Sequence, residues 1–113
     1  HRSMDLLNKK CIPCEGGVTP FGLDEIKKYM GEVKGWMVLE GAKLHKEFQF
    51  DDFEQAMVFV NKVAEVAEDE GHHPDIFISY NRVRLTIRTH AIGGLSENDF
   101  ILAAKIDNIL TNK

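Results

Sequence analysis

The chain has 113 residues, 43% of them hydrophobic and 28% charged, with a net charge of −4. That length supports a single core without disulfide staples, and no apolar run approaches the roughly 20 residues that span a bilayer. The nearest thing to a basic patch, Arg82, Arg84 and Arg88, falls short of the basic face that duplex binding needs, so neither a membrane nor a direct nucleic-acid partner is expected.

His1-Arg2-Ser3 ahead of Met4 reads as a vector-derived scar, and no signal peptide follows it. The expected location is the cytoplasm. Residues 1–20 read as that scar plus an irregular arm, and residues 21–113 as one domain. The arm carries both cysteines, Cys11 and Cys14, in a Gly- and Pro-rich setting. A structural zinc site would need a second ligand pair, and a redox Cys-x-x-Cys would open a helix after a strand. Reduced thiols in an irregular arm are the simpler reading.

From Leu23 to Val33, Leu23, Ile26, Met30 and Val33 share one helical face. Trp36 to Leu39 reads as a short strand, with a turn at Gly41-Ala42. Lys43 to Phe50 alternates, with Leu44, Phe48 and Phe50 on one side, as in a half-buried strand. Asp51 and Glu54 resemble a capping box that opens a second helix. Phe53, Met57, Val60, Ala64 and Ala67 form its apolar stripe, and Gly71 stops it. Ile76, Ile78 and Tyr80 alternate, a tight turn is expected at Asn81-Arg82, and Val83, Leu85 and Ile87 complete a second hairpin. Ser96-Glu97-Asn98-Asp99 caps a last helix whose stripe is Leu102, Ile106, Ile109 and Leu110. The order α-β-β-α-β-β-α predicts an α+β two-layer sandwich, a four-stranded antiparallel sheet with three helices on one face.

The chemistry concentrates in histidines. His72 and His73 end the second helix and His90 ends the fourth strand, while His45 reads as a surface residue. Three readings are open. A protonated imidazole at a helix C-terminus complements the dipole and needs no further purpose. Three histidines with Glu68 could ligate zinc, although adjacent helical residues point roughly 100 degrees apart. Imidazoles also suit metal-free acid–base catalysis near neutral pH, with Glu68 one turn before His72 to orient it. No nucleophile elbow, phosphate loop or dinucleotide fingerprint is present.

These residues resemble the pterin-4a-carbinolamine dehydratase family. Its signature is an acidic or polar residue, three others, His-His-Pro, then an aromatic, a histidine and an aspartate at set distances. Here it reads Glu68-Asp69-Glu70-Gly71-His72-His73-Pro74, then Tyr80, His90 and Asp99. Gly35-Trp36, Asp51-Asp52-Phe53, Thr89-His90 and Gly94-Leu95-Ser96 are also similar to the family, and the match runs from about Leu23 to the C-terminus.

The resemblance implies the same sandwich, no metal, no organic cofactor, and one reaction. A 4a-hydroxytetrahydropterin, left when an aromatic amino acid hydroxylase turns over, loses water to give the quinonoid dihydropterin. It further implies catalysis by His72, His73 and His90, with His72 and His90 as acids and His73 holding substrate or acting as base. Glu68, Asp99 and Trp36 would orient the cluster or bind substrate; Trp36 has ordinary core packing as its equal alternative. The implied assembly is a homodimer or homotetramer. In vertebrates the family doubles as a dimerisation cofactor of a homeodomain transcription factor, but Cys-Ile-Pro-Cys-Glu-Gly-Gly resembles the microbial branch. The rival reading is a non-enzymatic dimerisation or assembly cofactor on the same fold; a Rubisco-assembly role goes with a degraded triad, and here the triad is intact.

Overall fold

The computed structural model describes residues 6–9, 11, 19–89 and 92–111. Two alternating stretches make its centre. β2 (Lys43–Gln49) and β4 (Arg82–Ile87) pair antiparallel, with Leu44 opposite Ile87 and Phe48 opposite Val83. Leu44, Val83, Leu85 and Ile87 are fully buried, so the period-two pattern does place one face in the core. β1 (Met37–Leu39) and β3 (Asp75–Ser79) flank them, giving the antiparallel order β1-β2-β4-β3. α1 (Leu23–Met30), α2 (Phe53–Glu70) and α3 (Glu97–Thr111) complete the expected α+β order, with a short 3-10 helix at Leu6–Asn8 before them.

Several details differ from the periodicity. α1 stops at Met30, and Leu23 is exposed on its first turn while Ile26 and Val33 are buried. The cap of α2 is Asp52, whose carboxylate accepts from the Gln55 N–H at 2.9 Å, so Asp51 and Glu54 form no box. The buried face of α2 is Ala56, Phe59, Val60, Val63 and Ala67, leaving Phe53 and Ala64 outside. The second hairpin turns at Tyr80-Asn81, one residue early, with Tyr80 at φ 53 and Ser79 opposite Arg82. The Asn81 amide stabilises this turn by donating to the Phe50 carbonyl at 2.8 Å.

α3 is buried almost all round at its start, with Phe100, Ile101, Leu102 and Ala103 each at or near zero exposure. It sits between α1 and α2, and Phe100 stacks on Phe21 and meets Tyr29. The sheet also turns one lysine inward. Lys46 shares the core face with Leu44 and Phe48, and its ammonium reaches Asp107 at 2.9 Å and lies 4.9 Å from the Phe48 ring centre. Its aliphatic stem packs while the head finds a carboxylate, which is how a charged residue occupies that face.

Candidate active site

The end of α2 decides which histidine goes where. Gly71 takes the left-handed conformation (φ 66, ψ 26) that a residue without Cβ adopts freely. The Gly71 and His72 N–H groups then close back on the Glu68 and Ala67 carbonyls, a Schellman ending. This reversal breaks the helical spacing that would have put Glu68 beside His72. His72 instead swings toward α3, where its Nε2 lies 2.7 Å from Asp99 Oδ1. His73 Nε2 takes Glu68, at 2.5 Å to Oε2. The expectation that Glu68 orients His72 is therefore corrected: Asp99 does so, and Glu68 carries His73.

The two pairs differ in setting. Asp99 has 0% exposure and the His72 side chain 14%, whereas His73 and Glu68 are at 59% and 78%. The outer pair gains little from its charges in water, but the inner one is held in a fixed lattice. Asp99 is the third residue of α3, and its Oδ2 accepts from the Ser96 backbone N–H at 2.8 Å, half of a capping box. The same oxygen accepts from the Thr89 hydroxyl at 2.9 Å, and Thr89 Oγ1 also lies 3.0 Å from Ser96 Oγ. Thr89 is fixed in turn by its N–H to the Gly94 carbonyl. Since Ser96 and Thr89 both donate to this carboxylate, His72 Nε2 is assigned as the third donor. That leaves Nδ1 as the ring atom able to exchange a proton.

Ser96 was legible as the cap of the last helix, which its N–H to Asp99 bears out, whereas Thr89 was legible only as part of the family pattern, with no sign of its role. Glu70 escaped altogether. Its side chain, 3% exposed, accepts from Lys105 Nζ at 2.6 Å and from the Cys11 N–H at 2.9 Å. The Cys11 thiol is pushed up to about 12 by burial and by Glu70 beside it, so at neutral pH it is a protonated, weak nucleophile. Arg88, next to Thr89, has a buried Nε with no acceptor among the described residues.

The other site expectations are placed less centrally. Trp36 is buried; its indole N–H donates to Asp107 Oδ2 at 3.0 Å and its ring meets Phe48 edge-on. Asp107 lies eight residues beyond Asp99 on α3, about 12 Å along the axis, so the structure gives Trp36 a packing place apart from the dyad. His90 and Cys14 lie outside the described residues. His45 Nδ1 is 3.1 Å from Thr86 Oγ1 across the β2–β4 pair. Among the described residues, no three His, Cys, Asp or Glu side chains group as metal ligands would. No helix among them is long and apolar enough to cross a membrane. A groove of about 1120 Å³ runs over α2 and α3 with Glu68 on its wall, but neither His72 nor Asp99 lines it. The dyad therefore lies apart from that open surface.

Comparison with known proteins bears on this arrangement. Residues 19–109 match the family model described as pterin 4 alpha carbinolamine dehydratase. A protein of Nitrosospira multiformis named "Putative pterin-4-alpha-carbinolamine dehydratase" is 50% identical over 105 residues, covering 93% of this chain and 92% of its own. A solved structure titled a transcriptional coactivator/pterin dehydratase from Brucella melitensis superposes with a TM-score of 0.76 at 33% identity, covering 80% of this chain and 98% of its own. A pterin dehydratase-like protein described as a RuBisCO assembly factor in the alpha-carboxysome shares the fold at a TM-score of 0.58 and 24% identity, covering 69% and 92%.

Proposed function

From the premise that the chain belongs to the pterin-4α-carbinolamine dehydratase family, we propose that it dehydrates 4a-hydroxytetrahydrobiopterin to the quinonoid dihydropterin, recycling the cofactor of aromatic amino acid hydroxylases. The observation that carries this reading is the His72–Asp99 pair at 2.7 Å, built from two elements of the family motif.

The reaction breaks the C4a–O bond, removes the N5 proton and leaves a C4a=N5 double bond plus water. Hydroxide is a poor leaving group, so the hydroxyl must receive a proton as the bond breaks. His72 in its charged form supplies it from Nδ1, while Asp99 holds Nε2 and stabilises the imidazolium. The N5 proton goes to a second imidazole. His73, steadied by Glu68, is one candidate; His90, placed by its motif position in the sequence, is the other. Both transfers are between nitrogen or oxygen atoms, and the substrate gains and loses no electrons, so the residues alone balance the step.

The test is stopped-flow absorbance on freshly generated 4a-hydroxytetrahydropterin, before and after chelator treatment. The wild type should be fast in both conditions, and His72→Ala should lose about a hundredfold to ten-thousandfold of the rate, the range of one general acid. A wild type no faster than buffer would overturn the reading and leave the non-enzymatic dimerisation or assembly role as the one to pursue. A rate abolished by chelator would replace it with a metal-dependent one.

The homodimer or homotetramer belongs to the same proposal. Both edge strands show apolar side chains to solvent, Met37 on β1 and Ile76 and Phe77 on β3. Unpaired edges with apolar residues favour pairing with another copy. Light scattering should give a multiple of 12.8 kDa; a monomer across the micromolar range would contradict it.

A further inference from the structure

Glu70 is a carboxylate in an unfavourable place. It ends α2, whose last turn holds no basic residue, so its charge faces the negative end of the helix dipole. Its neighbours Glu68 and Asp69 are exposed while its own side chain is buried. A buried ion pair is commonly no better for stability than well-packed apolar residues. What it does confer is direction, through fixed bonds at one point on the chain to Lys105 and to Cys11.

Those bonds cross the seam that the catalytic pair also crosses. Oε2 takes Lys105 from α3 at 2.6 Å and Oε1 takes the Cys11 N–H from the arm at 2.9 Å. Cys11 then donates its thiol to the Asn98 carbonyl at 3.5 Å. Asn98 precedes Asp99, and Glu70 stands two residues before His72. The α2 end that bears His72 is thus tied twice to the α3 segment that bears Asp99, once directly and once through the arm.

We propose that Glu70 is a positioning residue: its clasp with Lys105 and Cys11 holds the end of α2 against α3 so that His72 Nε2 meets Asp99. This rests on the dehydratase reading for its kinetic consequence, though not for its geometric one. A misplacement of about 1 Å at a reacting group can cost on the order of a hundredfold in rate.

The test uses the full chain and three variants. Glu70→Gln keeps one acceptor and loses the ion pair. Glu70→Gln with Lys105→Met removes both charges, which guards against a variant that merely leaves a buried lysine unpaired. Glu65→Gln, an exposed carboxylate on the same helix, is the control. Two readouts are taken: kcat and KM for dehydration, and the imidazole N–H proton resonance that disappears in His72→Gln. Both Glu70 variants should lose about tenfold to a hundredfold of kcat with KM within about twofold, and their His72 N–H signal should broaden. The double variant should recover thermal stability without recovering kcat, and the control should move neither readout. A double variant with wild-type kcat and a sharp signal would overturn the proposal, leaving Glu70 as charge balance for Lys105. If the wild type proves inactive while the signal still broadens, positioning stands and the dehydratase reading fails. Should the single variant not fold, the double variant decides.

Discussion

Asp99→Asn should fold and yet lose about a hundredfold to ten-thousandfold of kcat with little change in KM. The two groups are nearly the same shape, so the difference is one of donors and acceptors. Asp99 accepts from the Ser96 N–H and the Thr89 hydroxyl through one oxygen and meets His72 Nε2 with the other. An amide that keeps its oxygen on Ser96 and Thr89 must turn its NH2 toward His72. The ring then has to accept at Nε2 and carry its proton at Nδ1. Its lone pair faces the amide, away from substrate, and the charged form would set N–H against N–H. Turning the amide over instead sets its NH2 against the Ser96 N–H, which costs a buried donor its partner, about 1–3 kcal/mol. Stopped-flow rates together with a melting curve check this. A kcat within about threefold of wild type would mean that Asp99 matters only as a helix cap.

How much of this was legible beforehand follows from the range of each signal. The strands were plain because alternation is a local property, and Leu44, Phe48, Val83, Leu85 and Ile87 all lie on the core face. The buried face of α2 was misread because its apolar residues cover more than half of the helix. Phe53, Met57 and Ala64 fit one stripe and Ala56, Phe59 and Val63 another, and only packing on β4 and α3 selects the second. The motif named His72, His73, Glu68 and Asp99, but not which of them pairs with which. The rule that residues four apart share a face holds inside a helix and lapses at Gly71, which is why Glu68 went to His73. Contacts such as Glu70 with Cys11, 59 residues apart, leave no periodic trace, and a lysine facing inward at position 46 breaks the very alternation used to find the strand.

Phe100→Ala should be the most destabilising single truncation near the site, by about 3–5 kcal/mol, the usual range for an aromatic lost from a core. Phe100 has 0% exposure and packs on Phe21, stacked at 6.1 Å, and on Tyr29 at 5.1 Å, two rings that also meet each other. Truncation opens a cavity where α1 and its lead-in meet α3, and surrounding backbone is too constrained to fill it. Phe21 donates its N–H to Leu95, and the ring of Pro20 packs directly on Gly94, where even an added Cβ would come within 2.7 Å. Against a total stability of about 5–15 kcal/mol, the melting temperature should fall by about 12–20 °C. Leu23→Ala, on the same α1 but exposed, should stay within about 0.5 kcal/mol. If both variants melted alike, the packing of α1 on α3 described above would be wrong. The comparison with Asp99→Asn carries the larger point. Asp99 and Phe100 are adjacent on α3 and point roughly 100 degrees apart, one toward His72 and the other toward α1. Measured well below its melting point, Phe100→Ala should retain most of its kcat, whereas Asp99→Asn should retain most of its stability. One helix turn then holds the catalytic geometry on one side and the core on the other, and a single substitution on either side should separate the two.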